Sequence, residues 1–427
     1  MNERPQFWLK LDNAAKIYPA ARRRDWMAMF RFSASLTEPV DPALLQRALA
    51  VVMPRFPAFS VRLRRGLFWF YLEHTGNLPD VQPDVNNPCV PIDAAANKNL
   101  LFRVRYYGSR ISLEVYHVLC DGTGGLCFLK TLVAEYLTLK YGVAIPRGNG
   151  ILDCGEPPRP EELEDAFLRY AGRTSLSRQE EDAFYIRGEQ EPPEHVHVTT
   201  GMIPVAALLQ KAREKGVSLT EYLTAVLLLS VDTLQRQEVK AHRRLKPVKV
   251  CVPVNLRAFF PSETLRNFSL FINPGVDPRL GQYTLDELLV AVHACMKLEA
   301  TPQRLAARFA ANVRSEQNPL LRAAPLFLKN LVMRAVFARV GDRKTSTILT
   351  NLGQVRLPPE MAAYVERMDL VLGPLSRNRV VSAVLSYNDI LYFSFTRTIK
   401  DSRLERAFFK NLVRLGLPVK VESNNCY

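Results

Sequence analysis

The sequence predicts an α+β fold built as two lobes of similar length. Three observations carry this: strand patterns arrive in hairpin pairs broken by single amphipathic helices, a charged and proline-containing stretch separates two such regions, and no repeat of solenoid length recurs. The length of 427 residues, too great for one ordinary core, agrees. The expected division is a first lobe over 1–155, a linker over 156–194 and a second lobe over 195–427, with a cleft between the lobes.

Residues 27–36 alternate well enough for a strand. Asp41-Pro42 then predicts an N-cap with proline in the first turn, opening an apolar helix over 43–53 that Pro54 stops. Segments 59–64 and 67–73 flank Arg65-Gly66, and segments 100–107 and 110–116 flank Gly108-Ser109; both read as hairpins with two-residue turns. A glycine-rich turn leads into an amphipathic helix over 125–141, ended by Gly142. Residues 156–195 differ in kind, with eleven acidic residues against five arginines, and five prolines. They read as a linker carrying one or two short helices.

The second region restarts with a strand over 195–203. Ser218 and Glu221 form a capping box before an apolar helix over 220–235, and Thr284 and Glu287 form another before a helix to about 299. Residues 248–254 and 268–273 are β-prone. A basic amphipathic helix is expected over 325–340; its large apolar face and basic charges would suit an anionic membrane surface, but a stripe facing the core with solvated arginines is the expectation. Strands over 346–352 and 369–372, a strand pair at 380–386 and 391–397, and a helix over 402–415 complete the chain.

The composition, 48% apolar, is globular. No apolar run reaches the ~20 residues that cross a bilayer, and the first residues lack a secretory signal's apolar stretch, so a cytoplasmic protein without membrane contact, monomeric by default, is expected. Seven cysteines, an odd number without CxxC spacing, read as reduced thiols. The net charge of +15 is spread along the chain, and Arg22-Arg23-Arg24 is too short a run to argue for nucleic acid. His195-Val-His197 places two imidazoles on one face of a strand, but no carboxylate or thiol is expected beside them, so no metal site is predicted. His74, His242 and His293 stand alone.

One stretch carries chemistry: 113–129, LEVYHVLCDGTGGLCFL. His117 falls just past a strand end, and Asp121-Gly122 follows in a turn leading to a helix. An imidazole with an ordinary pKa near ~6.5 suits proton abstraction at neutral pH.

HVLCDG resembles the HxxxDG motif of the chloramphenicol acetyltransferase-like superfamily, which includes condensation domains of peptide synthetases, plant alcohol acyltransferases and polyketide-associated acyltransferases. The stretches MPRFPAFSVRLRRGLFWFYLE, VPVNLRAFFPSETLRNFSLFINPGVDP and TNLGQVRLP look like the bacterial branch of alcohol acetyltransferases. The resemblance covers nearly the whole chain in matching order. It implies two chloramphenicol-acetyltransferase-like lobes with a tunnel between them, and direct transfer of an acyl group from acyl-coenzyme A to an alcohol or amine, with His117 as general base. It implies a structural role for Asp121, paired with an arginine of the other lobe, for which Arg257 is the candidate. Gly122 is expected to permit a close backbone approach, Gly124 and Gly125 to leave room for substrate, and Asn351 either to donate to the oxyanion or to serve as a strand-end turn residue.

The DFGWG loop of plant members is absent, and Tyr116 stands where condensation domains carry their first histidine. No permanent cofactor is expected. The basic charge suits coenzyme A or, alternatively, an acyl carrier protein as thioester carrier, and serves equally as a plain solubility charge. A non-catalytic binding module that keeps the fold is the remaining alternative.

Overall fold

Three sheets organise the chain in the computed structural model, which describes residues 7–22, 27–172, 174–176, 180–336, 342–373, 375 and 378–424. The first lobe is built on a five-stranded sheet ordered Val365–Leu372, Met29–Leu36, Arg110–Tyr116, Phe102–Tyr107 and Gln82–Pro83. Its edge strand Val365–Leu372 comes from the C-terminal part of the sequence and runs antiparallel to Met29–Leu36. A small sheet of Trp8–Lys10, Phe70–His74 and Val61–Arg65 lies in the same region.

The second lobe carries an eight-stranded sheet with the path Ser269–Ile272, Val248–Asn255, Thr347–Gln354, Val380–Tyr387, Ile390–Arg397, His197–Pro204 and Lys420–Ser423, Gly275–Val276 pairing beside Val248–Asn255. Thr347–Gln354 runs parallel to both its neighbours, the rest antiparallel. The fold is mixed α+β in two lobes.

Local sequence signals account for most boundaries. Asp41 accepts hydrogen bonds from Ala43 N and Leu44 N and opens helix Pro42–Val52. Both capping boxes form, ahead of Leu219–Glu238 and Leu285–Glu299. Gly108 takes a left-handed φ of +54° in the two-residue turn after Phe102–Tyr107. Asn388 and Asp389, with φ of +48° and +59°, make the corresponding turn between Val380–Tyr387 and Ile390–Arg397. The 59–73 hairpin differs from expectation: Arg65 pairs with Phe70, so its loop is 66–69 rather than Arg65-Gly66. Gly66 still closes it, its N–H donating to Trp69 O at 2.9 Å.

Helix Gly122–Tyr141 is buried along most of its length against the first sheet. Phe128 stacks on Phe59 with centroids 4.4 Å apart and meets Phe56 and Phe102 edge-on, each buried ring worth roughly 2–3 kcal/mol. In the second lobe, helix Leu219–Glu238 fills the equivalent role, flanked by Leu285–Glu299 and Arg403–Arg414. The stretch 156–194 does more than connect: Glu162 pairs with Arg55 in the interior, and Phe167 packs on Phe268 and Phe309. Helix Pro302–Gln317, which carries Phe309, has no counterpart in the sequence expectation; its polar average hides a narrow stripe of Leu305, Phe309 and Val313.

The basic helix spans Leu326–Val336, and the expected remainder, 337–340, lies outside the described residues. Its apolar stripe does not face the core. Leu326 and Lys329 turn inward, whereas Phe327, Leu328, Leu331 and Val332 are exposed. The six described cysteines are free thiols.

Candidate active site

The site grows from a strand end. Strand Arg110–Tyr116 delivers His117 at its C-terminus, where His117 N donates to Ala28 O at 2.8 Å and ties the residue to the strand beside it. The ring stacks on Tyr18 with centroids 4.8 Å apart and meets the edge of Phe30 at 5.1 Å. It remains partly exposed. Packing among aromatics pushes its pKa below the ordinary imidazole value, against weaker upward pulls that include Asp121, Asn267 and Asp12.

Asn267 sets the tautomer. Its Nδ2 donates to Asp12 Oδ2 and to His117 O, both at 3.1 Å. The His117 carbonyl can only accept, so Nδ2 is assigned to that side, and Asn267 Oδ1 faces His117 Nδ1, 2.9 Å away, and must accept from it. Nδ1 therefore carries the proton and Nε2 presents a lone pair. Among the described residues Nε2 takes no hydrogen bond. Asp12, fully buried, also accepts from Ala15 N at 2.7 Å and lies 3.5 Å from Arg266. A His117–Asn267–Asp12 chain thus runs from the ring into the interior.

Asp121 faces elsewhere. One oxygen caps helix Gly122–Tyr141 by accepting from Thr123 N and Gly124 N, at 3.1 and 3.4 Å. This cap starts the helix three residues earlier than its periodicity suggests, because glycines hide the amphipathic pattern of the first turn. The other oxygen accepts from Arg257 Nη1 at 2.7 Å and from Phe268 N at 2.9 Å. Arg257 also donates to Thr264 O and Arg266 O. The first-lobe loop with His117 is thereby bound to the segment 255–268, which carries Asn267.

The glycines are close-packed. A Cβ on Gly122 would meet Leu352 at 2.9 Å, in the TNLG strand. One on Gly124 would meet Leu265 O at 2.0 Å, and one on Gly125 the Phe30 ring at 2.7 Å. The room expected for substrate beside Gly124 and Gly125 is therefore filled by the protein itself. The two glycines let the 255–268 segment and the first sheet approach the helix. Asn351 Nδ2 donates to Thr220 Oγ1 at 2.9 Å, and its Oδ1 accepts from Gly353 N at 2.8 Å. That second bond is the turn role expected as an alternative to oxyanion donation.

Sequence reasoning missed Asn267, Asp12 and Tyr18. Asn267 lies inside a stretch noted for its resemblance, LRNFSLF; Asp12 and Tyr18 carry no local signal. The histidine pair at 195 and 197 needs a correction too. A carboxylate does stand beside it: Glu191 Oε1 is 2.6 Å from His197 Nε2.

Comparison with solved structures places this architecture. Polyketide synthase associated protein 5 from Mycobacterium tuberculosis superposes with a TM-score of 0.60 at 15% identity, covering 96% of this chain and 98% of that one. F. graminearum TRI101 complexed with ethyl coenzyme A gives 0.65 at 12% identity, over 99% and 100%. The chain shares the overall fold of these structures. A nonribosomal peptide synthetase, FmoA3, matches at 0.57 and 13% identity over 97% of this chain and 44% of its own. No protein-family model matches the sequence, and no curated protein matches it.

Proposed function

We propose that the protein is an acyltransferase that moves an acyl group from acyl-coenzyme A to an alcohol, with His117 as general base. The observation that carries this reading is the His117–Asn267–Asp12 chain, which holds the proton on Nδ1 and leaves an unprotonated Nε2 without a hydrogen bond among the described residues. The acceptor hydroxyl gives its proton to Nε2 as its oxygen attacks the thioester carbonyl. The tetrahedral intermediate then expels the coenzyme A sulfur, which takes the proton back from the imidazolium, so the ring ends as it began. Asn267 and the buried Asp12 favour the transient imidazolium. Burial, by lowering the ring's pKa, keeps the base unprotonated at neutral pH.

Asp121 and Arg257 act structurally in this reading, holding the His117 loop against the second lobe. Support for a coenzyme A donor comes from the shared fold of TRI101, solved in complex with coenzyme A. The likeness to polyketide synthase associated protein 5 supports a second donor, a carrier-protein thioester.

The test is turnover of acetyl-coenzyme A and of an acyl-loaded carrier protein against a panel of alcohols and amines. His117→Ala is expected to reduce transfer by about 10²–10⁴-fold while folding normally. A folded His117→Ala protein with wild-type turnover would overturn the assignment, and the faster donor decides between the two thioesters. Transfer with neither donor on any acceptor would favour a binding module that merely keeps the fold.

A further inference from the structure

The structure assigns a divalent transition-metal site to Glu191, His195 and His197, where the chain enters the second sheet. One ligand atom from each lies within 4.8 Å of the others. The two imidazoles meet edge-to-face with centroids 4.8 Å apart, and His197 Nε2 is 2.6 Å from Glu191 Oε1. The backbone between them is shaped before any ion arrives. Glu191 N donates to Thr398 O at 3.0 Å, His195 N donates to Pro192 O at 3.1 Å, and Glu194 holds a left-handed φ of +69°.

Pro192 and Pro193 restrict the same turn, and His197 begins a strand in register with Arg397. A turn tied at both ends and stiffened by two prolines loses little freedom on chelation, which favours binding. Two imidazole nitrogens with one carboxylate oxygen, partly exposed, are the donors Zn²⁺ takes when it keeps a water in its fourth position, and imidazole suits Ni²⁺ and Cu²⁺ also. Binding replaces the hydrogen bond between Glu191 and His197. Lys400 faces Glu191 and Glu405 faces His197, so the surrounding charges are of both signs. The site shares no residue with the His117 chain, and the bound ion would clip the 180–196 segment to the sheet.

Calorimetric titration of ZnCl₂ into the EDTA-treated full chain tests this. One Zn²⁺ per chain is expected, with a rise in melting temperature that EDTA reverses. His195→Ala, in an exposed turn and harmless to folding, should weaken binding by about tenfold or more, and Glu191→Gln should weaken it as well. His117→Ala should bind Zn²⁺ as the wild type does. Absence of binding by the wild-type chain, or undiminished binding by the His195→Ala/His197→Ala double variant, overturns the site.

Independently, the geometry points to a lipid-docking face. Phe327, Leu331 and Val332 are 60%, 69% and 55% exposed on helix Leu326–Val336, beside Leu67, 72% exposed, and Phe68 at the hairpin tip. The two elements are joined, since Leu326 N donates to Leu67 O at 2.9 Å and Lys329 Nζ to Phe68 O at 3.0 Å. Residues 317–336 hold the exposed Arg322 and Arg334 and no acidic residue, Lys329 being turned inward, and the hairpin adds the exposed Arg64 and Arg65.

An apolar face fringed mainly by cations, with Glu73 pairing Arg64 on the hairpin, matches an anionic phospholipid surface, into which the rings and leucines insert while the free arginines meet headgroups. No single described helix is long and apolar enough to cross a membrane, so the contact is peripheral. Co-sedimentation with phosphatidylcholine–phosphatidylglycerol vesicles is expected for the wild type and lost in Phe327→Glu/Leu331→Glu, whose side chains carry no core. Failure of the wild type to sediment, equal sedimentation of the variant, or a wild-type dimer in solution that the variant abolishes would overturn it. None of these readouts depends on acyl transfer.

Discussion

His117 and the pair His195–His197 both sit where a strand begins or ends, yet they are held in opposite ways. His117 is fixed by residues far along the chain: Asn267 at its Nδ1, Asp12 behind that, Tyr18 on its face. The pair converges within seven residues, through a proline turn that brings Glu191 back to His197, and only its ends are tied to the strand Ile390–Arg397 and Thr398. The first arrangement holds a neutral ring by one nitrogen and leaves the other without a protein partner among the described residues, as a base requires. The second gathers two rings and a largely buried carboxylate around a common point, as a ligand set requires. Long-range enclosure sets a protonation state; short-range convergence sets a donor geometry.

The sharpest way to break this contrast is to remove the tie that brings the long-range partners to His117. Arg257→Ala would leave the Asp121 carboxyl buried, at 8% side-chain exposure, without its guanidinium partner. A loss of about 3–5 kcal/mol in unfolding free energy is expected from denaturant titration, with turnover following the folded fraction. Removing Asn267 attacks the protonation state instead. Asn267→Ala should lower kcat roughly ten- to hundredfold, because either tautomer of His117 then becomes available. A wild-type kcat in that variant would show that the ring needs no partner.

The pH profile sharpens the same point. Burial lowers the folded pKa of His117, so the acid limb of kcat/KM should have its midpoint below the ordinary ~6.5. Stability should respond with the same sign. Below that ordinary value the unfolded chain takes up the proton first, so the wild type should lose stability relative to His117→Ala as pH falls from 7 toward 5. The smallest effect belongs to the local cluster. Without metal, Glu191→Gln should scarcely move the melting temperature, since the glutamine oxygen can still accept from His197 within the same turn.

These differences track what was legible beforehand. Helix starts marked by Asp41, Ser218 and Thr284 are readable because the cap and the amides it satisfies lie within three residues. The turns at Gly108 and Asn388-Asp389 are readable because their backbone angles restrict the residue type. The same reasoning slipped at the 59–73 hairpin, where cross-strand packing chose the longer loop over Arg65-Gly66. It slipped again at Leu326–Val336, where an apolar stripe reports amphipathicity but not what the stripe faces. Glu191 was overlooked although it lies four residues from His195, because a proline turn, not strand periodicity, brings it round.

The sequence by itself determined the α+β class, the placement of His117 at a strand end before a capped helix, and the candidate pairing of Asp121 with Arg257. Each rests on local spacing or on a motif resemblance. Only the tertiary structure decided that Asn267 and Asp12 orient the ring, that Gly124 and Gly125 admit backbone and aromatic neighbours, and that strand Val365–Leu372 completes the first sheet. The reason is physical. A hydrogen bond or a packed contact between residues 150 or more apart leaves no periodicity in the chain, and becomes visible only when folding has brought its halves to 2.9 or 3.1 Å.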